Sequence, residues 1–270
     1  RQLLMSVFHN NALIGASGQT GAGPTVYSIE RSLRFNSSDS AYLSRTPASA
    51  GNRKTWTWAG WVKRSTVGLQ MLFNCEGGTS DASFGQLSFL STDKINVGAY
   101  STAWRTTTAV FRDLSAWYHI AVAFDTTQAT ANDRVKVFVN GVQITAFDTS
   151  NAPTLNTDYA INQTQPHNIG RAYGGFSHFS GYLADVHFID GQALGPTSFG
   201  EFDANGVWQP KAYSGTYGTN GFHLPFSDNS TAAALGTDAS GNSNTWTVNN
   251  ISVAAGSGND SLVDTPTSYG

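Results

Sequence analysis

"RVKVFVNGVQITAF" occupies residues 134–147, and its reading decides the fold. Val135, Val137 and Val139 alternate with Lys136 and Phe138, the two-residue period of a β-strand. Asn140-Gly141 then marks a tight reversal, because a type I′ turn needs positive φ at both central residues and Asn-Gly tolerates that best. The stretch predicts an antiparallel hairpin. The same texture runs outward in both directions. "SLRF" (32–35), "AYLSR" (41–45), "TWTWAGWVKR" (55–64), "LQMLFNC" (69–75), "GQLSFLS" (85–91), "KINVGAY" (94–100), "RTTTAVF" (105–111) and "WYHIAVAFD" (117–125) precede it. "YAINQ" (159–163), "HNIGRAY" (167–173) and "GYLADVHFID" (181–190) follow. Each is of strand length, rich in β-branched and aromatic residues, and bounded by Gly, Asn, Asp, Ser or Pro. No helix-period segment separates them. The expectation is an all-β antiparallel jelly-roll sandwich.

Composition narrows the function classes. Charged residues are 12% of the 270, and the formal net charge is −3. Such a surface has no basic field to attract nucleic acid or an anionic membrane, so neither is expected as a partner. The single cysteine, Cys75, excludes an internal disulfide framework. No apolar run is long enough to cross a membrane as a helix. Residues 1–29 are Gly/Ala/Asn-rich and weakly patterned, without the basic start, apolar run and cleavage site of a secretory signal. They read as an extended N-terminal arm that orders by docking. The sandwich is expected over 30–252, and 253–270 reads as a polar tail or linker.

Taken in order, "SLRFNSSDSAYLSR", "WTWAGWVKR", "WYHIAVAFD", "RVKVFVNGVQI" and "FSGYLADVHFIDGQAL" resemble the successive strands of a laminin G-like domain, a member of the concanavalin A-like lectin/glucanase fold. The likeness covers roughly residues 32–195. "TWTWAGWVKRS" and "LADVHFIDGQAL" further resemble laminin G-like proteins of marine tailed phages, of virion structural or fibre type. That resemblance implies a non-enzymatic virion structural protein, a capsid decoration or tail fibre on the extracellular particle surface. It would be homo-oligomeric, anchored to other virion proteins through the arm, and in contact with cell-surface glycans. A soluble carbohydrate-binding module without an assembly role is the alternative. The family's opening motif, an aromatic strand followed by D-x-S-G-N-x-N, stands here at residues 221–248. Circular permutation, a second domain, or strands donated to a neighbouring subunit would each account for it.

Candidate site residues follow from side-chain chemistry. Trp56 and Trp58 share one face of their strand, while Gly60 permits a bulge that decides where Trp61 points. Sugars pack C–H faces on flat aromatic rings, and sandwich cores use the same rings as bulk. At least two of the three tryptophans are expected in the core, with Trp61 and Trp104 as the candidates for an exposed carbohydrate platform. The E-x-D-x-E strand of the fold's glycosidases, which places two carboxylates on one face, is absent, so no enzyme is expected. The histidines form no H-E-x-x-H pattern, and His119 and His187 read as hydrogen-bonded strand residues. Cys75 reads as a small buried hydrophobe. The resemblance implies calcium at a loop rim as the one cofactor to consider, with Asp125 and Asp185 at acidic positions of the family motifs. "DASGNSN" (238–244) is oxygen-rich but lacks EF-hand spacing.

Overall fold

The computed structural model describes residues 27–267. In chain order its strands are β1 (Ser32–Phe35), β2 (Tyr42–Arg45), β3 (Thr55–Arg64), β4 (Gln70–Glu76), β5 (Phe84–Phe89), β6 (Ile95–Ala99), β7 (Ala103–Thr107), β8 (Tyr118–Asp125) and β9 (Val135–Val139). They continue as β10 (Val142–Gln143), β11 (Phe147–Ser150), β12 (His167–Ile169), β13 (Gly181–Asp190), β14 (Gly200–Phe202), β15 (Trp208–Pro210), β16 (Phe222–Leu224), β17 (Thr247–Asn249) and β18 (Ser261–Leu262). The first sheet runs β10-β9-β8-β3-β13-β1-β18, with β16 also on β13; the second runs β11-β7-β6-β5-β4-β12-β2-β17. Every pairing is antiparallel, and the two sheets face each other as a sandwich.

Strand alternation places the core. From β3, Trp56, Trp58 and Val62 point between the sheets; from β8, Ile120, Val122 and Phe124 do the same. The second sheet answers with Leu72, Phe73, Leu87, Phe89, Ile95 and Val97. Trp56 stacks on Phe124 at 4.8 Å, and Trp58 is fully buried. Two of the three tryptophans therefore fill the core, as expected. Burying a side chain of this size stabilises by roughly 1.5–3 kcal/mol.

β3, β8 and β13 are also buried on their other face. Ala59, Ala121 and Ala123 lie there with Phe138 and Ile189 beneath Phe199, Leu194, Tyr213 and Tyr217. The cover comes from the segment after β13, including the small hairpin β14–β15. The fold thus has a third, irregular layer over the first sheet. Alanine suits those sheet positions because a loop packs directly on them.

Four expectations are corrected or refined here. "YAINQ" forms no strand: Ala160 and Ile161 are buried in succession, and Asn162 takes φ +73°, so the chain turns. The hairpin at Asn140-Gly141 has φ +48° and +78°, the expected type I′ signature. Its return strand is only Val142–Gln143, and the chain then crosses to the second sheet as β11. The motif at 221–248 enters this chain's own sandwich, β16 on β13 and β17 on β2. Residues 253–270 are not a free tail within the described part: β18 pairs with β1, Asp260 binds Arg34 at 2.8 Å, and Asp264 binds Lys63 at 2.8 Å. The arm expected over 1–29 lies outside the described residues except for Tyr27–Ile29, and Ile29 is tied to Thr267 through its backbone N–H and C=O.

Two buried groups make stability measurable. Asp260 accepts from Arg34 and from the Ser252 N–H, so Asp260→Ala is expected to cost roughly 1–3 kcal/mol in urea unfolding. His167 donates Nδ1–H to the Gln165 carbonyl at 2.8 Å and accepts the Asn162 N–H on Nε2 at 2.9 Å. Protonation would set two hydrogens against each other, and burial pushes its pKa down to about 4 from an unfolded value near 6.5. The unfolded chain therefore binds the extra proton first. The His167 contribution is complete above about pH 6.5 and is lost as pH falls from there towards 4. The thermal midpoint should be lower at pH 5 than at pH 7.5.

Candidate functional site: an aromatic hollow and a polar cluster on the outer layer

Trp61 decides where the surface chemistry sits. Between Ala184↔Trp61 and His187↔Ala59 the register of β13 against β3 slips by one residue. Asp185 and Val186 together oppose Gly60, so the bulge lies in β13 and β3 keeps its alternation. Val186 turns into the core beside the space that Gly60 leaves, where an added Cβ would meet it at 3.2 Å. Trp61 consequently points away from Trp56 and Trp58, onto the outer face.

There it packs with Ile29, Ala184 and Trp208, against Tyr27 and Trp117. Trp61, Trp117 and Trp208 of this cluster border a hollow of about 480 Å³ whose wall also includes Asn140, Phe202 and Pro266. Trp208 sits on the glycine of the type I′ turn, where a side chain at Gly141 would overlap the indole ring. Phe202 stands edge-on to Trp208 at 4.9 Å and is 51% exposed. Trp117 donates its indole N–H to Asp264 at 3.3 Å, and the Lys63 ammonium lies over its ring at 6.0 Å. The wall is aromatic and uncharged.

The expectation of exposed tryptophan faces needs correction. Trp61 is only 4% exposed, although it lines the hollow. Trp104 is 2% exposed and belongs to the inter-sheet core, against Phe124 at 5.1 Å and Tyr159 at 4.8 Å. Alternation on β7 puts Trp104 inward. The more open rings, Trp117 and Phe202, were not singled out from sequence; for Phe202 and Trp208 no strand was foreseen around them.

Next to the hollow lies a buried polar cluster. The bulge holds Asp185 at φ +50°, and its carboxylate accepts the Tyr27 hydroxyl at 2.8 Å and His223 Nε2 at 2.6 Å. His187 Nε2 stands 3.2 Å from the second oxygen, and its Nδ1 lies 3.0 Å from the Tyr217 hydroxyl. The His187 and His223 rings stack at 4.2 Å. Burial alone would raise Asp185, but His187 and His223 outweigh it and hold the carboxyl well below its usual range. Burial lowers His187 against the opposing pull of that carboxylate. Burial and the same anion raise Tyr27. His119 bridges the cluster to the hollow, 5.1 Å from Trp61 and 5.8 Å from Trp208, with its pKa pushed down to about 3 chiefly by burial.

Asp125 and Asp185 are not brought together. Asp125 pairs opposite Thr55 and Asp185 opposite Gly60, roughly 16 Å apart along β3. Asp125 instead accepts from Thr55, Thr127 and Gln128 at a strand end. Asp238 of "DASGNSN" likewise spends its oxygens on the His223, Ser240 and Asn244 backbone N–H groups. Cys75 is buried and pushed up to about 11 by burial, an unreactive thiol. Glu201 and Asp203 stand two apart, but Glu201 reaches solvent beside Lys211 while Asp203 binds the N–H groups of its own turn. The association the sequence reading missed is Asp185-x-His187 with His223; D-x-H on a strand was the available signal.

The family model of the concanavalin A-like lectin/glucanases superfamily matches residues 35–198, more than half of the chain. The chain belongs to that superfamily. The match ends before β14, so Phe202, Trp208 and Pro266, which close the hollow, lie outside the superfamily region. No curated protein matches the chain in sequence. Solved structures of similar shape include a native heptameric SAP-like pentraxin from Limulus polyphemus, at 14% identity and TM-score 0.44, covering 63% of this chain and 80% of that one. A Trypanosoma rangeli sialidase mutant displaying trans-sialidase activity has 15% identity and TM-score 0.40, over 54% of this chain and 22% of that one. The CBM40 of the Ruminococcus gnavus IT-sialidase, bound to α2,3-sialyllactose, has 13% identity and TM-score 0.37, over 52% and 88%. These are likenesses of fold.

Gly141→Ala should displace Trp208 and strain the turn. The expected result is quenching or shift of tryptophan fluorescence and a loss of about 1–3 kcal/mol, without loss of the β-sheet circular dichroism.

Proposed function

We propose that the chain is a non-enzymatic glycan-binding sandwich whose ligand seats in the hollow between Trp117, Phe202 and Trp208. One observation carries the reading: three tryptophans and a phenylalanine converge on one open, uncharged concavity of about 480 Å³. Concave sites with aromatic walls and few polar groups are where small ligands bury most of their surface. Flat rings meet the C–H faces of a pyranose, and Asn140 is the polar side chain in the wall. The ligand class is a neutral saccharide, since the lining carries no charged side chain and the two charged groups beside Trp117, Lys63 and Asp264, pair with each other at 2.8 Å. A non-hydrolytic role is supported by the placement of the three glutamates: Glu76 pairs with Arg171 on the other sheet, and Glu30 and Glu201 are exposed and stand outside the wall of the hollow.

A structural place on a phage particle, with oligomerisation and anchoring through the N-terminal segment, is the second part of the proposal. Its support is the motif resemblance and the position of Tyr27, where the described chain starts on the outer layer beside the hollow. Light scattering of the full chain against one beginning at Tyr27 tests it: the full chain should run as the larger assembly, and equal monomers would remove the assembly role. For glycan binding, an array of neutral oligosaccharides followed by calorimetry should show Trp117→Ala and Phe202→Ala each weakening binding about tenfold or more. Both side chains lie outside the inter-sheet core, so the β-sheet circular dichroism should be kept, with a modest drop of the thermal midpoint for Trp117→Ala, which loses its packing and its bond to Asp264. An empty array, or affinity indifferent to both changes, would sink the reading.

A further inference from the structure

We propose that Asp185, His187 and His223 form a binding site for a divalent transition-metal ion of the Zn²⁺ type. Each offers one ligand atom, and the three atoms lie within 4.8 Å of one another. Two imidazole nitrogens and one carboxylate oxygen suit Zn²⁺ and its first-row neighbours, whereas calcium takes six to eight oxygens.

A second observation points to a ligand. His187 Nε2 has no hydrogen-bond partner although its side chain is only 2% exposed. It faces the Asp185 carboxylate at 3.2 Å, out of line for a hydrogen bond. His187 Nδ1 lies 3.0 Å from the Tyr217 hydroxyl, and in the tautomer that donates Nδ1–H to it the Nε2 lone pair is turned towards the anion. Two acceptors then face each other, and a cation between them satisfies both. Tyr217 is the outer-shell partner that fixes tautomer and ring orientation in metal-ligating histidines. Bonds of about 2.0–2.2 Å at tetrahedral angles separate ligand atoms by roughly 3.3 Å. The His187–Asp185 spacing already fits; His223 Nε2, at 2.6 Å, must swing outward and unstack from His187. Its strand, β16, is short, and its side chain is 16% exposed, which also supplies the way in. The Tyr27 hydroxyl stays on Asp185 as a support for the carboxylate. Three protein ligands leave one position for water.

The test uses the full chain stripped with a chelator and titrated with ZnCl₂ by calorimetry, with Co²⁺ absorption reporting coordination. One equivalent should bind with micromolar or tighter affinity. His223→Ala should weaken it by about tenfold or more, His223→Asp should retain a site, and His178→Ala should bind as the unmodified chain does. Histidine NMR of the unmodified chain covers the case of a variant that does not fold: sub-stoichiometric Zn²⁺ should perturb the His187 and His223 ring signals first. Absence of stoichiometric binding, undiminished affinity in His223→Ala, or first perturbation at other histidines overturns the proposal.

Discussion

The extra residue that β13 inserts at Asp185 governs everything built on the outer face of the first sheet. Two residues opposite one shift the pleat of β13, so Val186 and Phe188 still reach the core while Asp185 and His187 emerge on the same outer side. The same point divides the far edge of β13: residues 181–183 pair with β1, and 186–188 with β16. β16 thereby delivers His223 opposite His187. A left-handed aspartate costs on the order of 1–2 kcal/mol in backbone terms. Its contacts to Tyr27 and His223 offset that cost, and the core packing on either side leaves the strand no other register.

The second consequence is the layered build. A sandwich with one wet face per sheet would alternate apolar and polar residues along every strand. β3, β8 and β13 do not, because the segment after β13 folds back over them. That cover encloses small side chains near Phe199 and large ones near Trp208, and the aromatic hollow opens where the cover, the Asn140-Gly141 turn and the C-terminal strand segment meet. The hollow and the polar cluster are neighbours joined through His119, yet they differ in kind. One is open, neutral and aromatic; the other is closed and carries a buried anion.

Much of the architecture was legible. β3 and β13 run over the stretches "TWTWAGWVKR" and "GYLADVHFID" as read, since dense β-branched and aromatic runs between turn formers have few other folded options. "YAINQ" misled because two adjacent apolar residues can be buried at a turn as well as in a strand. β14 and β15 escaped notice because three-residue strands carry too little pattern. At the site, Trp61 was named for the right locality but the wrong exposure. Asp185 was named for a calcium rim, and its partners His187 and His223, 36 residues apart in the chain, were read singly.

By itself, then, the sequence determined the class of structure: antiparallel strands, their approximate limits, the type I′ turn and two core tryptophans, all of which follow from local period and turn chemistry. Only the tertiary structure decided which face Trp61 takes, that 221–248 and the C-terminal segment close this chain's own sheets, and that an aspartate and two histidines meet. Those depend on a one-residue register slip and on contacts across long sequence separations, and neither leaves a periodic trace in the chain.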